Sequence, residues 1–298
     1  MSEFLGLLVD RDLDGNIHPE WEEDHQLSIN SFEVPPVSFC AGALDDIPDE
    51  WESPVKVFNQ GSTSSCAGHA EAACFTHQNW AEVAGKDAAD ASEMLVFSPW
   101  FCYLTAQKSG NFFGRDQGTS IGSTIKAASS YGACLESLCK RPDRYNTTIS
   151  DAALADAKKN LHLGSPSKDL RNWDDCIAWL TDKRSVVIGT KWYSSQSTVK
   201  NVETLGLGRG GSFRGYHARA LIGHKKLNGE HSPRVLNSHG SGWGANGRAT
   251  IERDLWEWWK QDSNFFALGF GDINERLPKR RDWSKFAWTG AGTTGSLV

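Results

Sequence analysis

Positive charge is in short supply in this chain: 31 Lys and Arg stand against 37 Asp and Glu, leaving a net charge of −6 and a pI near 5.9. That balance gives no basic footprint for a nucleic acid or an anionic membrane, so neither is expected as a partner. The one basic run, Lys279, Arg280 and Arg281, reads as a solvated surface stretch. Long apolar runs are also missing. Residues 4–9 form a short one that ends at Asp10 with no basic residue before it, which is neither a signal core nor a membrane span. The seven cysteines are an odd number, and none falls in a CxxC or Cys/His spacing suited to zinc. A reducing compartment and no zinc site are therefore expected. There is no internal repeat. The glycine-rich residues 206–212 lack the Lys-Ser/Thr ending of a phosphate loop and have no strand before them, so they read as a plain loop.

What is present suits a globular protein. A length of 298 residues allows one large domain or two lobes sharing an interface, and 13 Trp favour packed aromatic clusters or an interaction surface. Residues 1–45 are acidic and loop-like, an N-terminal extension. From Cys66, apolar and small residues recur at three- and four-residue steps until Gly85, which predicts a helix. A second helix is predicted over 120–131, closed by Gly132. Beyond residue 185, short apolar runs at 186–188, 218–222, 234–236 and 249–251 are separated by turn residues and read as strands. The expected class is α+β, a helical first half and a strand-rich second half with a cleft where they meet.

Three segments carry chemistry. In residues 60–69, Cys66 opens the first predicted helix behind a loop of small residues. Free N–H groups and the helix dipole stabilise a thiolate there, and a neighbouring imidazolium stabilises it further. Gln60 can set its side-chain amide beside the Cys66 N–H to receive a developing oxyanion, a donor worth about 2.7–4 kcal/mol. His217 begins an apolar strand, where a ring can exchange protons at neutral pH from a rigid base. Asn237 ends another strand before a Gly-punctuated turn, where its amide can hold an imidazole in one tautomer. Each residue alone has an ordinary structural explanation: packing for Cys66, a core edge for His217 and turn formation for Asn237.

Taken together these segments resemble the papain-like cysteine peptidases, in texture the bacterial and phage relatives above all. Gln60 stands six residues before Cys66, and residues 237–247 reproduce the family pattern Asn-Ser-x-Gly-x-Gly-Trp-Gly-x-Asn-Gly. Weaker matches extend the resemblance over residues 47–251, among them Ser98-Pro99, Tyr103-Leu104 and Tyr131-Gly132-Ala133-Cys134. The Cys-to-His interval, 217 − 66 = 151 residues, is slightly long, which insertions near residues 206–215 and 225–232 explain.

The resemblance implies a two-lobed papain-like fold, with a helical lobe at about 60–140 and an antiparallel, β-barrel-like lobe at about 180–255. It implies a peptidase domain over 46–260, followed by a C-terminal extension over 261–298. Cys66 would be the nucleophile, His217 its base, Asn237 the orienter and Gln60 the oxyanion donor. Gly118, Thr119, Tyr216 and Trp243 would bind a peptide or protein substrate. The family's Cys-His-Asn triad acts through a thioacyl enzyme, which implies that no metal and no organic cofactor is required. The chain departs from the pattern at Ala67, where an aromatic residue is usual, and at Thr63, where a disulfide cysteine is usual. His239 replaces the Trp that shields the His–Asn bond, which implies a wetter site. A cytoplasmic or virion-associated location is expected. Two other functions stay open: a Cys-His amidase or acyltransferase, and a papain-fold assembly protein that meets its partner through the Trp-rich region from Trp256 to Trp288.

Overall fold

The computed structural model describes residues 47–83, 94–160, 167–207 and 211–270. Most of the expected extensions, together with Cys40 and Gly85, lie outside them. Among the described residues no helix is long and apolar enough to cross a membrane.

The first half is helical. α1 (Cys66–Val83) lies against α2 (Pro99–Ser109), whose start is written in the sequence: Ser98 caps it by accepting from the Phe101 N–H, and Pro99 occupies the first turn. α3 (Ile121–Tyr131) runs from the Ser120 cap to Gly132, as the spacing predicted. α4 (Asp151–Ala157) follows with Ser150 as its cap. At the crossing of α1 and α2, Gly68 lets two backbones touch. A Cβ there would stand 2.6 Å from the Tyr103 nitrogen and 2.7 Å from the Pro99 oxygen. Gly68→Ala is therefore expected to cost about 2–3 kcal/mol by overpacking, read as a lower urea midpoint with an unchanged m-value.

The second half is built on one sheet. β1 (Glu50–Glu52), β2 (Ser167–Asp169), β3 (Val186–Tyr193), β4 (Thr204–Leu205), β5 (Phe213–Leu227), β6 (Glu230–Leu236), β7 (Arg248–Ile251) and β8 (Phe266–Phe270) join in the order β2-β8-β3-β5-β6-β7-β4, with β1 on β5. Pairing is antiparallel except between β4 and β7. The sheet is open, which corrects the expected barrel-like closure: its ends are β2 and β4. It also continues past residue 260, because β8 pairs with β3 from Val186↔Gly269 to Gly189↔Phe266. α5 (Trp173–Thr181), α6 (Ser194–Ser197) and α7 (Arg253–Lys260) complete the half.

Strand alternation sends neighbouring side chains to opposite faces, and both faces of this sheet are covered. Val187, Ala218, Ala220, Ile222 and Leu236 pack with the residues of α1 in one core. Val186, Ile188, Leu221 and Val235 pack in a second, with Trp173, Trp179, Trp256 and Trp259 from α5 and α7. Much of the tryptophan wealth is thus internal. β5 runs between β3 and β6, its residues 218–224 all buried. Whatever it carries is held rigidly.

Candidate active site

Cys66 stands at the first position of α1, and its sulfur accepts from the Ala218 N–H of β5 at 3.5 Å. The strand residue next to His217 therefore touches the nucleophile candidate directly. His217 Nε2 meets Asn237 Oδ1 at 2.7 Å, and the same oxygen accepts from the Ser238 backbone N–H at 2.8 Å. A backbone N–H can only donate, so the atom it meets must be the amide oxygen. That oxygen also faces Nε2, so Nε2 carries the proton and Nδ1 keeps its lone pair. Nδ1 is buried and has no hydrogen-bond partner among the described residues.

Gln60 is tied to the same turn. Its N–H donates to the Ser238 carbonyl at 2.8 Å, and its Oε1 accepts from Ser238 Oγ at 2.6 Å. Its Nε2 donates to the Thr63 carbonyl at 2.8 Å. The Gly240 N–H donates to the Phe58 carbonyl at 3.0 Å. Residues 58–60 and 238–240 are thus sewn together, which fixes Gln60 relative to Asn237. Thr63 bonds the Gln60 carbonyl and Ser65 Oγ, each at 2.7 Å.

The site is dry, which corrects the expectation of a wetter one. Cys66 and His217 have no exposed surface. His239 does lie on His217, with ring centroids 4.9 Å apart, but Trp192 supplies a second plate at 4.6 Å from His217 and 5.7 Å from His239. Burial pushes the Cys66 thiol up to about 12, against the N–H groups of Ala218 and Ala67 and the charge of Arg219 that pull it down. Burial also drives His217 well below its ordinary value, helped by His239 and Arg219. Burial thus favours a neutral thiol and a neutral imidazole, against the thiolate that the helix start favours. The field of the helix end and the neighbouring N–H groups do not outweigh complete desolvation.

Two residues were missed. Arg219 sits in an apolar strand run, and that misfit was the available signal; Trp192 gave none, because only the fold brings it to His217. Of the expected substrate residues, Gly118 has a positive φ of 93° and already donates its N–H to Tyr103 Oη at 3.2 Å. Thr119 is buried with Oγ1 unpartnered. Tyr216 accepts from Asn264 at 3.2 Å. Trp243 is a core residue whose Nε1 donates to the Gln196 carbonyl at 2.7 Å. Among the described residues no cluster of three or more His, Cys, Asp or Glu could hold a metal.

No protein-family profile matches the sequence, and no curated protein does. Solved structures do match. Xylellain, a cysteine protease from Xylella fastidiosa, is 18% identical with a TM-score of 0.66, over 92% of this chain and 97% of that one. Procathepsin B S9 from Trypanosoma congolense is 18% identical with a TM-score of 0.57, over 85% of this chain and 89% of that one. The Carica candamarcensis cysteine protease CMS1MS2, solved with E-64, is 16% identical with a TM-score of 0.55, over 76% of this chain and all of that one. At these identities the likeness concerns architecture, and on it the chain has the papain-like cysteine protease fold.

Proposed function

We propose that the protein is a cysteine peptidase that hydrolyses peptide bonds with Cys66 as nucleophile, His217 as general base and acid, Asn237 as orienter and Gln60 as oxyanion donor. The observation that carries this reading is the two-sided grip on Asn237 Oδ1, which leaves the lone pair of His217 Nδ1 free. In the reaction, Nδ1 takes the Cys66 proton as sulfur attacks the carbonyl carbon, and the carbonyl oxygen gathers negative charge beside Gln60 and the Cys66 N–H. The imidazolium returns its proton to the leaving amine, the C–N bond breaks and a thioester remains. Water then gives a proton to Nδ1 as it attacks the thioester, releasing the acid and restoring the thiol. A buried neutral pair is consistent with this order, because charge separates only once substrate is in place.

The same burial favours a second reading, a papain-fold module that has kept its side chains without turnover and serves in assembly. Labelling separates the two. At about pH 6, where an ordinary thiol is almost fully protonated, E-64 is expected to modify Cys66 ahead of the other cysteines, with His217 taking the thiol proton as sulfur attacks. Peptide mass spectrometry locates the adduct, and His217→Ala should prevent it. Absence of any Cys66 adduct in demonstrably folded protein would leave the assembly reading in place.

A further inference from the structure

Arg219 is the most fully buried cation described, 1% exposed in the middle of β5. Among the described residues no carboxylate pairs with it. Its Nη2 donates to Thr190 Oγ1 at 2.6 Å, while Nε and Nη1 have no hydrogen-bond partner among the described residues. It is held by aromatic faces instead, with its Cζ 4.9 Å from the Trp192 ring centroid and 4.8 Å from that of Trp259. Burying an unpaired charge is costly, and two cation–π contacts offset only part of that. An aliphatic residue would fill the same strand position without the cost. The placement is specific: Arg219 is two residues from His217 on the same strand face, and Trp192 is in ring contact with both. Ala218 between them donates its N–H to Cys66 Sγ.

We propose that Arg219 is a positioning residue of the active site, a fixed cation sandwiched between Trp192 and Trp259 that favours ionisation of Cys66 and discourages a lasting charge on His217. This rests on the peptidase reading. Burial drives the guanidinium down to about 9, so it is charged at neutral pH. The titratable groups in its field are Cys66 on α1, His217 on its own strand and His239 in the turn after β6. Of the charges on the neighbouring elements, Lys191 of β3 is 3.2 Å from Asp262, and Glu257 and Lys260 of α7 pair with each other at 3.6 Å. The cation lowers the thiol and the imidazolium together. Proton transfer from sulfur to Nδ1 thus yields a thiolate stabilised by the nearby cation and an imidazolium that surrenders its proton readily to the leaving amine.

The test is the pH dependence of iodoacetamide alkylation at Cys66, with the ultraviolet absorbance of the thiolate taken as wild type minus Cys66→Ser, in Arg219→Met and Arg219→Lys. Removing the cation should move the acid limb of alkylation, and both limbs of the peptide-hydrolysis profile, to higher pH by about 1 unit; Lys should restore most of that shift. Near-ultraviolet circular dichroism establishes folding. Should Arg219→Met not fold, Thr190→Val removes the guanidinium's hydrogen bond and is expected to give a smaller shift in the same direction. An Arg219→Met profile that is lower in rate but unmoved in pH, or no restoration by Lys, refutes the role of Arg219 and leaves the peptidase standing. Failure of both E-64 and iodoacetamide to modify wild-type Cys66 at any pH in folded protein sinks both.

Discussion

Between pH 7.5 and pH 5 the folded state is expected to lose stability on the order of 5 kcal/mol, the loss from buried histidines being offset in part by Glu71, whose carboxyl burial holds above its ordinary value, with acid unfolding centred near pH 5. The cause is the way the fold uses histidine. All six described histidines are held below their ordinary value, in each case by burial first, and His69, His77, His224 and His239 are each brought down to about 4. A histidine lowered in the folded state keeps its full contribution above about pH 6.5 and surrenders it as the pH falls towards 4. At pH 5, 1.5 units below the unfolded value, each of the four costs about 2 kcal/mol, or somewhat less where water reaches the ring.

Local chemistry agrees. His77 donates its Nε2–H to the Lys183 carbonyl at 2.9 Å while its buried Nδ1 has no acceptor among the described residues. His224 and His231 set their Nδ1 atoms 3.1 Å apart, so at least one must remain unprotonated. Ordinary carboxylates titrate near 4, so a midpoint at pH 5 marks the histidines. Tryptophan fluorescence and circular dichroism across the range measure it. A melting temperature flat from pH 7.5 to 4.5 would contradict the buried-neutral picture.

The second large effect is on turnover. Cys66→Ala should remove peptide hydrolysis altogether, and His217→Ala should lower kcat by about 10⁴-fold, or about 5.5 kcal/mol of transition-state stabilisation. Gln60→Ala should cost about 10²-fold, mostly in kcat, since an oxyanion donor acts on the transition state. Asn237→Ala frees the imidazole to take the wrong tautomer and should cost about 10²-fold. These losses are not additive: once His217 is gone, removing Asn237 should change little. Steady-state kcat and KM on a peptide substrate, with the double variant, provide the check. Equal losses for Asn237→Ala with and without His217 would show that Asn237 acts on the fold and not through the ring.

Much of this arrangement was legible in the sequence where local chemistry decides it. α1 and α3 announce themselves by spacing and terminating residues, and the cores of β3, β5, β6 and β7 by short apolar runs between turns. α2 carried its own start signal at Ser98-Pro99, but it is buried on nearly every side, so it shows no amphipathic period. β8 escaped because its partners, β3 and β2, lie far away in sequence and a five-residue apolar run past residue 260 has nothing local to identify it. The candidates Cys66, His217, Asn237 and Gln60 were readable as motifs. Their electrical state was not, because desolvation belongs to the packed molecule: the helix start at Cys66 argued for a thiolate, and the packed site made a thiol. Arg219 shows the converse, since a cation in a strand is ordinarily a surface residue.

The stitching of residues 58–60 to 238–240 has a temporal consequence. Sulfur, ring, amide and Gln60 come from positions up to 177 residues apart (237 − 60 = 177), and bonds between distant segments, such as Gln60 N–H to the Ser238 carbonyl, bring them into register. Contacts between such distant segments form late, after loop closure has been overcome. On refolding, the helices should therefore return before the reactive thiol does, and on warming, reactivity should vanish while most of the secondary structure persists. Cys66 serves, in effect, as the chain's own clock for the final docking of its two halves.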